Sequence, residues 1–281
     1  MRPGQWTKNL FIFLPLFFAL QFNNFHLLAK TGLAFALFCL LASATYIFND
    51  YHDREEDKGH PGKKSRPLAA GRVSTKSASG TGLLLATVGL LGAGYLDISM
   101  LRIALLYLAL NIAYTIKLKH IPLLDIFIIA SGFVIRILVG GVVTGLRIYP
   151  WIIVMTFLLA LFLAMGKRRE DVLLFLNSGE RARKAVDGYT LNFIDSSMVA
   201  LAAVTIVSYL MYTMSPEIIA KFKTDYLYLT TVFVILGIMR YLQLILVQQR
   251  SADPVEILWK DSFLQIAIIG WLTMFGLLIY L

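Results

Sequence analysis

Tyr46-Ile47-Phe48-Asn49-Asp50-Tyr51-His52-Asp53-Arg54-Glu55-Glu56-Asp57 stands where a long apolar run ends and a basic one begins. On a helix continuing through it, Asp50, Asp53 and Asp57 fall one turn apart on one face. Carboxylates stacked this way repel one another unless a cation sits among them. Hard oxygen donors of this kind suit magnesium, which binds through one or two carboxylates plus substrate phosphates and keeps several waters. A solvated acidic helix end is the bland alternative. Two features weigh against it: an apolar helix leads straight into the cluster, and Lys58, His60, Lys63, Lys64, Arg66 and Arg72 follow at once.

Outward from that stretch the chain is strongly apolar. Hydrophobic residues make up 58% of its 281 positions, well above a soluble domain. Several uninterrupted runs are each long enough to cross a bilayer. The expected fold class is all-α: a polytopic membrane protein forming one bundle domain over 1–281. Nine spans are expected, over roughly 10–22, 27–49, 79–96, 101–117, 122–142, 149–166, 196–215, 225–247 and 262–281. The first run lacks a small-residue cleavage site and does not read as a signal peptide. Cys39 is the sole cysteine, so there is no disulfide framework.

The 26 Lys and Arg residues are unevenly spread over that topology. Nineteen lie on the face carrying the N-terminus, five on the other, and Arg136 and Arg240 inside spans. The positive-inside rule therefore puts the N-terminus and the two long loops, about 50–78 and 167–195, in the cytoplasm and the C-terminus outside. Topology explains the basic surface without nucleic acid. Loops this long in a compact bundle are functional or disordered.

Three constellations carry chemistry. The acid cluster with its following cations is suited to a metal-bound diphosphate, the cations taking outer oxygens; within it, Arg66-Pro67-Leu68-Ala69-Ala70-Gly71-Arg72 reads as an ordered turn that aims two guanidiniums. Gly166-Lys167-Arg168-Arg169-Glu170-Asp171 closes the sixth span, with Arg181, Arg183, Asp187 and Tyr189 downstream; a basic stop signal is the plain reading of Arg169 and the arginines of the 180s. Asp125 and Arg136, eleven residues apart, share a face of the fifth span. They read as a structural ion pair or as the lining of a wet cavity, which Asn111 and Tyr114 of the preceding span also face. The four histidines have no metal-ligand spacing, and no nucleotide-binding glycine motif, serine elbow or zinc motif is present.

Asn49-Asp50-x-x-Asp53-x-x-x-Asp57 at a cytoplasmic helix end, in a nine-span chain, resembles the first aspartate-rich motif of the UbiA superfamily of membrane prenyltransferases. That family usually carries a second aspartate motif after the sixth span, where this chain has Gly166-Lys167-Arg168-Arg169-Glu170. The chain is more similar to one branch, the decaprenyl-phosphate phosphoribosyltransferases. The resemblance runs through Arg2-Pro3-x-Gln5-Trp6-x-Lys8-Asn9, Asn49 to Asp57, Arg66-Pro67-x-Ala69-Ala70-Gly71, Leu118-Lys119-His120, Ile135-Arg136, Gly140-Gly141, Gly166-Lys167-Arg168, Tyr189-Thr190, Arg240-Tyr241 and Lys260-Asp261.

The resemblance implies a 5-phosphoribosyl 1-diphosphate donor, a polyprenyl phosphate acceptor in the membrane, and Mg2+. It also implies a prokaryotic inner-membrane location and a place in making cell-wall precursors. The expected site has Asp50, Asp53 and Lys167 as catalytic residues and Asp50, Asp53 and Asp57 on the metal. Lys8, Asn49, Arg66, Tyr114, Lys119, Arg136, Arg168 and Tyr189 are expected on substrate. The acceptor phosphate is already largely ionised near neutral pH, so no general base is required. The rival readings are a prenyltransferase moving an isoprenoid from its diphosphate to an aromatic or other small acceptor, and a transporter or scramblase with Asp125 and Arg136 along its pathway. Neither polyprenyl length nor a choice between monomer and homo-oligomer is legible.

Overall fold

The computed structural model describes residues 3–59, 64–179, 184–249 and 254–280. Arg2, His60, Lys63, Arg181 and Arg183 lie outside the described residues. Among the described residues every regular element is a helix, and eight helices are long and apolar enough to cross a membrane. They follow the second to ninth expected spans closely. The first expected span, 10–22, is instead built from an unusually long 3-10 helix, Pro3–Phe13, running into α1, Leu14–Phe18. At about 2.0 Å per residue in the first part and 1.5 Å in the second, that segment extends roughly 30 Å. The chain divides into two compact units, Met1–Tyr149 and Pro150–Leu281.

In the first unit, α2 (Phe25–His52) is the central element. The short helix α3 (Arg54–Gly59) follows it, then α4 (Thr75–Leu96), α5 (Ile98–Ile116) and α6 (Leu124–Thr144). Asn24 caps α2 by accepting from the Leu27 amide, and Ser74 caps α4 by accepting from the Ser77 amide. Gly89 and Gly92 let α4 close on Leu41 and Leu37 of α2. Its other face turns Leu83, Leu91 and Tyr95 outward, as apolar side chains facing lipid do.

A polar clamp crosses this unit. Asn9, on the 3-10 helix, is fully buried; its amide donates to Cys39 Sγ on α2 at 3.1 Å and its carbonyl accepts from Arg136 Nε on α6 at 2.8 Å. Arg136 also donates to the Gly132 carbonyl at 2.6 Å, and its guanidinium lies over the rings of Tyr107, Phe38 and Phe133. Trp6 adds a bond from its indole to Ser43 at 3.2 Å. The ion-pair reading of Asp125 and Arg136 meets a distance it cannot span. Eleven helical residues separate the two by about 16 Å, and Arg136 is held by Asn9 instead. Asn111 bonds back to the Tyr107 carbonyl of its own helix at 2.8 Å.

The second unit holds α7 (Pro150–Ser178), α8 (Leu191–Thr213), the short α9 (Pro216–Phe222), α10 (Thr231–Leu242), the short α11 (Pro254–Lys260) and α12 (Ser262–Tyr280). A 3-10 turn, Tyr226–Thr230, leads into α10, and a π-helical turn, Gln243–Val247, extends it. Arg240 makes a two-pronged pair with Asp261, and Asp261 in turn accepts from the Leu264 amide at the start of α12. Tyr209, Thr230 and Trp271 form a second network, with Trp271 donating to the Tyr209 hydroxyl at 2.6 Å.

Candidate active site

The acid cluster begins where α2 ends. The helix does not run on unbroken: Asp53 is its C-cap, and α3 starts at Arg54. The i to i+4 backbone bonds nevertheless continue, from the Asp53 amide to the Asn49 carbonyl and from the Asp57 amide to the Asp53 carbonyl, at 2.9 and 2.8 Å. Two acids share one cation. Arg66 Nη1 lies 2.6 Å from Asp57 Oδ2 and 3.3 Å from Asp50 Oδ1. Asp53 pairs with Lys119, which is buried. Asn49 donates to Asp53 at 3.1 Å and accepts from Thr115 at 3.3 Å. Glu55 stands apart on the exposed side of α3, where Lys58 and Arg54 hold its carboxyl below the ordinary glutamate value.

This arrangement fits a divalent ion in one respect and qualifies it in another. Oxygens of Asp50 and Asp57 converge on a single positive nitrogen, so a cation position with hard donors exists. Asp53, expected as a third ligand, is drawn to Lys119. Among the described residues no three acid, histidine or cysteine side chains close on one point. The geometry offers two converging carboxylates, Asp50 and Asp57, with Asp53 held beside them by Lys119.

Of the expected substrate residues in this unit, Arg66, Lys119 and Asn49 gather on the acids. Tyr114 sits on α5 beside Thr115, and Lys8 is half-buried on the 3-10 helix, next to the clamp residue Asn9. Arg136, also expected on substrate, donates to Asn9, the Gly132 carbonyl and Tyr107.

The second unit carries the other expected residues. Gly166 to Asp171 does not close a helix: α7 continues to Ser178, so the basic run lies within it. Lys167 is 40% exposed and lies 3.7 Å from Glu170. Arg168 is fully buried and pairs with Asp171 one turn on. Arg169, whose plain reading was a stop signal, is buried too. It donates to Asp195 on α8 at 2.7 Å and to the Ile245 carbonyl in the π-helical turn at 3.0 Å. Tyr189 follows the 3-10 turn Lys184–Gly188 and is buried, its ring 6.3 Å from Phe193. Gly166 is needed for close packing, since a Cβ there would stand 2.5 Å from the Tyr241 hydroxyl.

The UbiA prenyltransferase family matches residues 9–264. The chain belongs to that family. A decaprenyl-phosphate phosphoribosyltransferase of Mycolicibacterium smegmatis is 31% identical to this UbiA chain, covering 100% of it and 91% of the relative. One from Corynebacterium glutamicum is 29% identical over 100% and 86%. In fold the UbiA chain is similar to a UbiA homolog from Archaeoglobus fulgidus solved with DMAPP and Mg2+. The TM-score is 0.70, with 99% of this chain and 96% of that one covered at 18% identity. UbiA membership and eight apolar helices make this an all-helical multi-pass membrane protein.

Three residues of these networks escape a reading of the UbiA sequence. Thr115, Asp195 and the clamp role of Asn9 are revealed only by contacts distant in sequence. For Asn9 the signal was an amide beside Lys8 at the end of the polar opening, directly before the first apolar run; for Thr115 and Asp195 there was none.

Proposed function

We propose that this protein transfers 5-phosphoribose from 5-phosphoribosyl 1-diphosphate to a polyprenyl phosphate in the membrane, releasing pyrophosphate. The observation that carries the reading is the contrast between the two cation-bearing helix segments. The end of α2 presents acids that converge on a cation, whereas the family's second acidic position is taken by Lys167 and Arg168 on α7. A donor with a diphosphate at one end and a monophosphate at the other calls for such a division: acids and metal for the first, cations alone for the second. Full-length relatives of that name at about 30% identity support it.

In this reading Asp50, Asp57 and Asp53 would hold a magnesium ion, which when bound offsets the charge of the departing diphosphate. Asn49, fixed by Thr115, orients Asp53. Arg66, Lys119 and Lys8 take diphosphate oxygens, and Tyr114 donates a hydrogen bond. In the second unit Lys167 and Arg168 bind phosphate, with Tyr189 as a donor. An oxygen of the acceptor phosphate bonds to the anomeric carbon while the bond from that carbon to the diphosphate oxygen breaks, its electron pair leaving with pyrophosphate. Positive charge builds on the sugar as in glycosyl transfer generally. The protein's contribution is positioning and charge neutralisation. The acid cluster faces the cytoplasm, following the excess of Lys and Arg on that side.

The test is an assay of the purified protein in lipid nanodiscs, offered 5-phosphoribosyl diphosphate with decaprenyl phosphate, or a prenyl diphosphate with an aromatic acceptor. Mass spectrometry should find the lipid-linked phosphoribose in the first mixture. Prenylated acceptor from the second and none from the first would transfer the assignment to an ordinary prenyltransferase.

A further inference from the structure

Arg66 stands on a turn that holds its own shape. The Ala70 amide donates to the Arg66 carbonyl at 2.8 Å, the Arg72 amide donates to the Pro67 carbonyl at 2.9 Å, and Gly71 adopts φ +70. The backbone does not need the Arg66 side chain, which is free to serve the acids. It serves two at once, Asp57 at 2.6 Å and Asp50 at 3.3 Å, while Lys119 serves Asp53. Three carboxylates thus face two internal cations. Asp57 and Lys119 are buried, so neither pairing is strongly screened by solvent.

A divalent ion entering alone must displace these cations. Each displaced cation then lies beside a dication with its former partner taken, in a setting where like charges repel strongly. An ion arriving with a diphosphate brings new acceptors, and the guanidinium and ammonium can turn from carboxylate to phosphate oxygens without losing charge-assisted bonds.

We infer that Arg66 and Lys119 are built-in competitors for the metal position, which make a divalent ion bind together with a diphosphate rather than alone. The inference rests on the assignment of Asp50, Asp53 and Asp57 to the metal under the proposed function, and adds the residues that set its affinity. Because Arg66 and Lys119 pair with the acids, the affinity for free metal is lowered to the fraction of molecules in which those pairs are open. By linkage, diphosphate tightens the metal and the metal tightens diphosphate by the same factor.

The experiment is Mn2+ binding to the full-length protein in nanodiscs, read by electron paramagnetic resonance, without and with inorganic pyrophosphate. Wild-type protein should bind Mn2+ at least about tenfold more tightly when pyrophosphate is present. R66Q should bind Mn2+ alone about tenfold more tightly than wild type and lose most of the gain from pyrophosphate. K119M should shift in the same direction, and keeps the question answerable if R66Q does not fold. Unchanged or weaker binding of Mn2+ alone in the folded variants overturns the competitor role. The D50N/D57N double variant separates the two levels: wild-type Mn2+ binding there overturns the metal assignment and the inference with it. Lost binding there, with R66Q and K119M unshifted, overturns the inference alone.

Discussion

Gly140→Ala is a one-methyl change whose consequence can be worked out atom by atom. A Cβ at Gly140 of α6 would sit 2.0 Å from the Ile12 carbonyl oxygen, 3.0 Å from its carbon and 3.1 Å from Pro15 Cδ. The obstruction is backbone, so no rotamer relieves it. Restoring ordinary contact requires the opening 3-10 helix to move away from α6 by more than 1 Å or so. The Asn9–Arg136 bond at 2.8 Å cannot survive that shift and remain within hydrogen-bonding range. Overpacking costs about 1–3 kcal/mol, and a lost bond to a buried charged group about 1.5–3 kcal/mol. Together these predict destabilisation of about 3–5 kcal/mol, a fall in Tm on the order of 10 °C. Gly276→Ala on α12 is the control, because a Cβ there meets nothing within 4 Å; it should hold or slightly raise Tm through helix propensity. Thermal unfolding of both variants in nanodiscs, followed by intrinsic fluorescence, makes the comparison. A wild-type Tm for G140A would refute the close approach and the clamp built on it.

Other substitutions probe the remaining pieces. Asp53→Ala should abolish transfer while leaving membrane insertion and helical circular dichroism intact; near-normal turnover would remove Asp53 from the site. Lys167→Ala should raise KM for the phosphoribosyl donor with little change in Tm, given its 40% exposure, and unchanged KM values for both substrates would refute its phosphate role. Arg240→Met should lower the Tm of the second unit, since it strips the buried Asp261 of its partner. R240K, which keeps the charge and loses the two-pronged geometry, should fall between the two in thermal unfolding.

What could be read from the sequence divides along a physical line. The helices from Phe25 onward were legible because bilayer-spanning runs announce themselves by length and apolarity alone, and only their ends moved. The exceptions came where periodicity misleads. Residues 10–22 look like an ordinary short span, yet a 3-10 helix reaches further per residue and presents Asn9 inward. Gly166 to Asp171 looks like a helix terminus because the charge changes abruptly there, but cations and acids three residues apart pair along the helix and carry α7 onward to Ser178.

The acid cluster shows the limit most sharply. Its aspartates could be named from spacing, because i, i+3 and i, i+4 neighbours are a local property. Their partners could not, since Arg66 reaches Asp57 from nine positions away and Lys119 reaches Asp53 from 66 positions away. A sequence therefore displays the charge that attracts a metal more readily than the charge that opposes it. On the inference drawn above, the opposing charge has the larger functional consequence. Acids left open would bind any divalent ion the cell supplies. Acids closed by an arginine and a lysine respond instead to an ion that brings its own anion. On the proposed function, the donor's diphosphate would then do more than leave: it would release the two cations from the carboxylates and give them the oxygens whose charge must be held while the bond breaks.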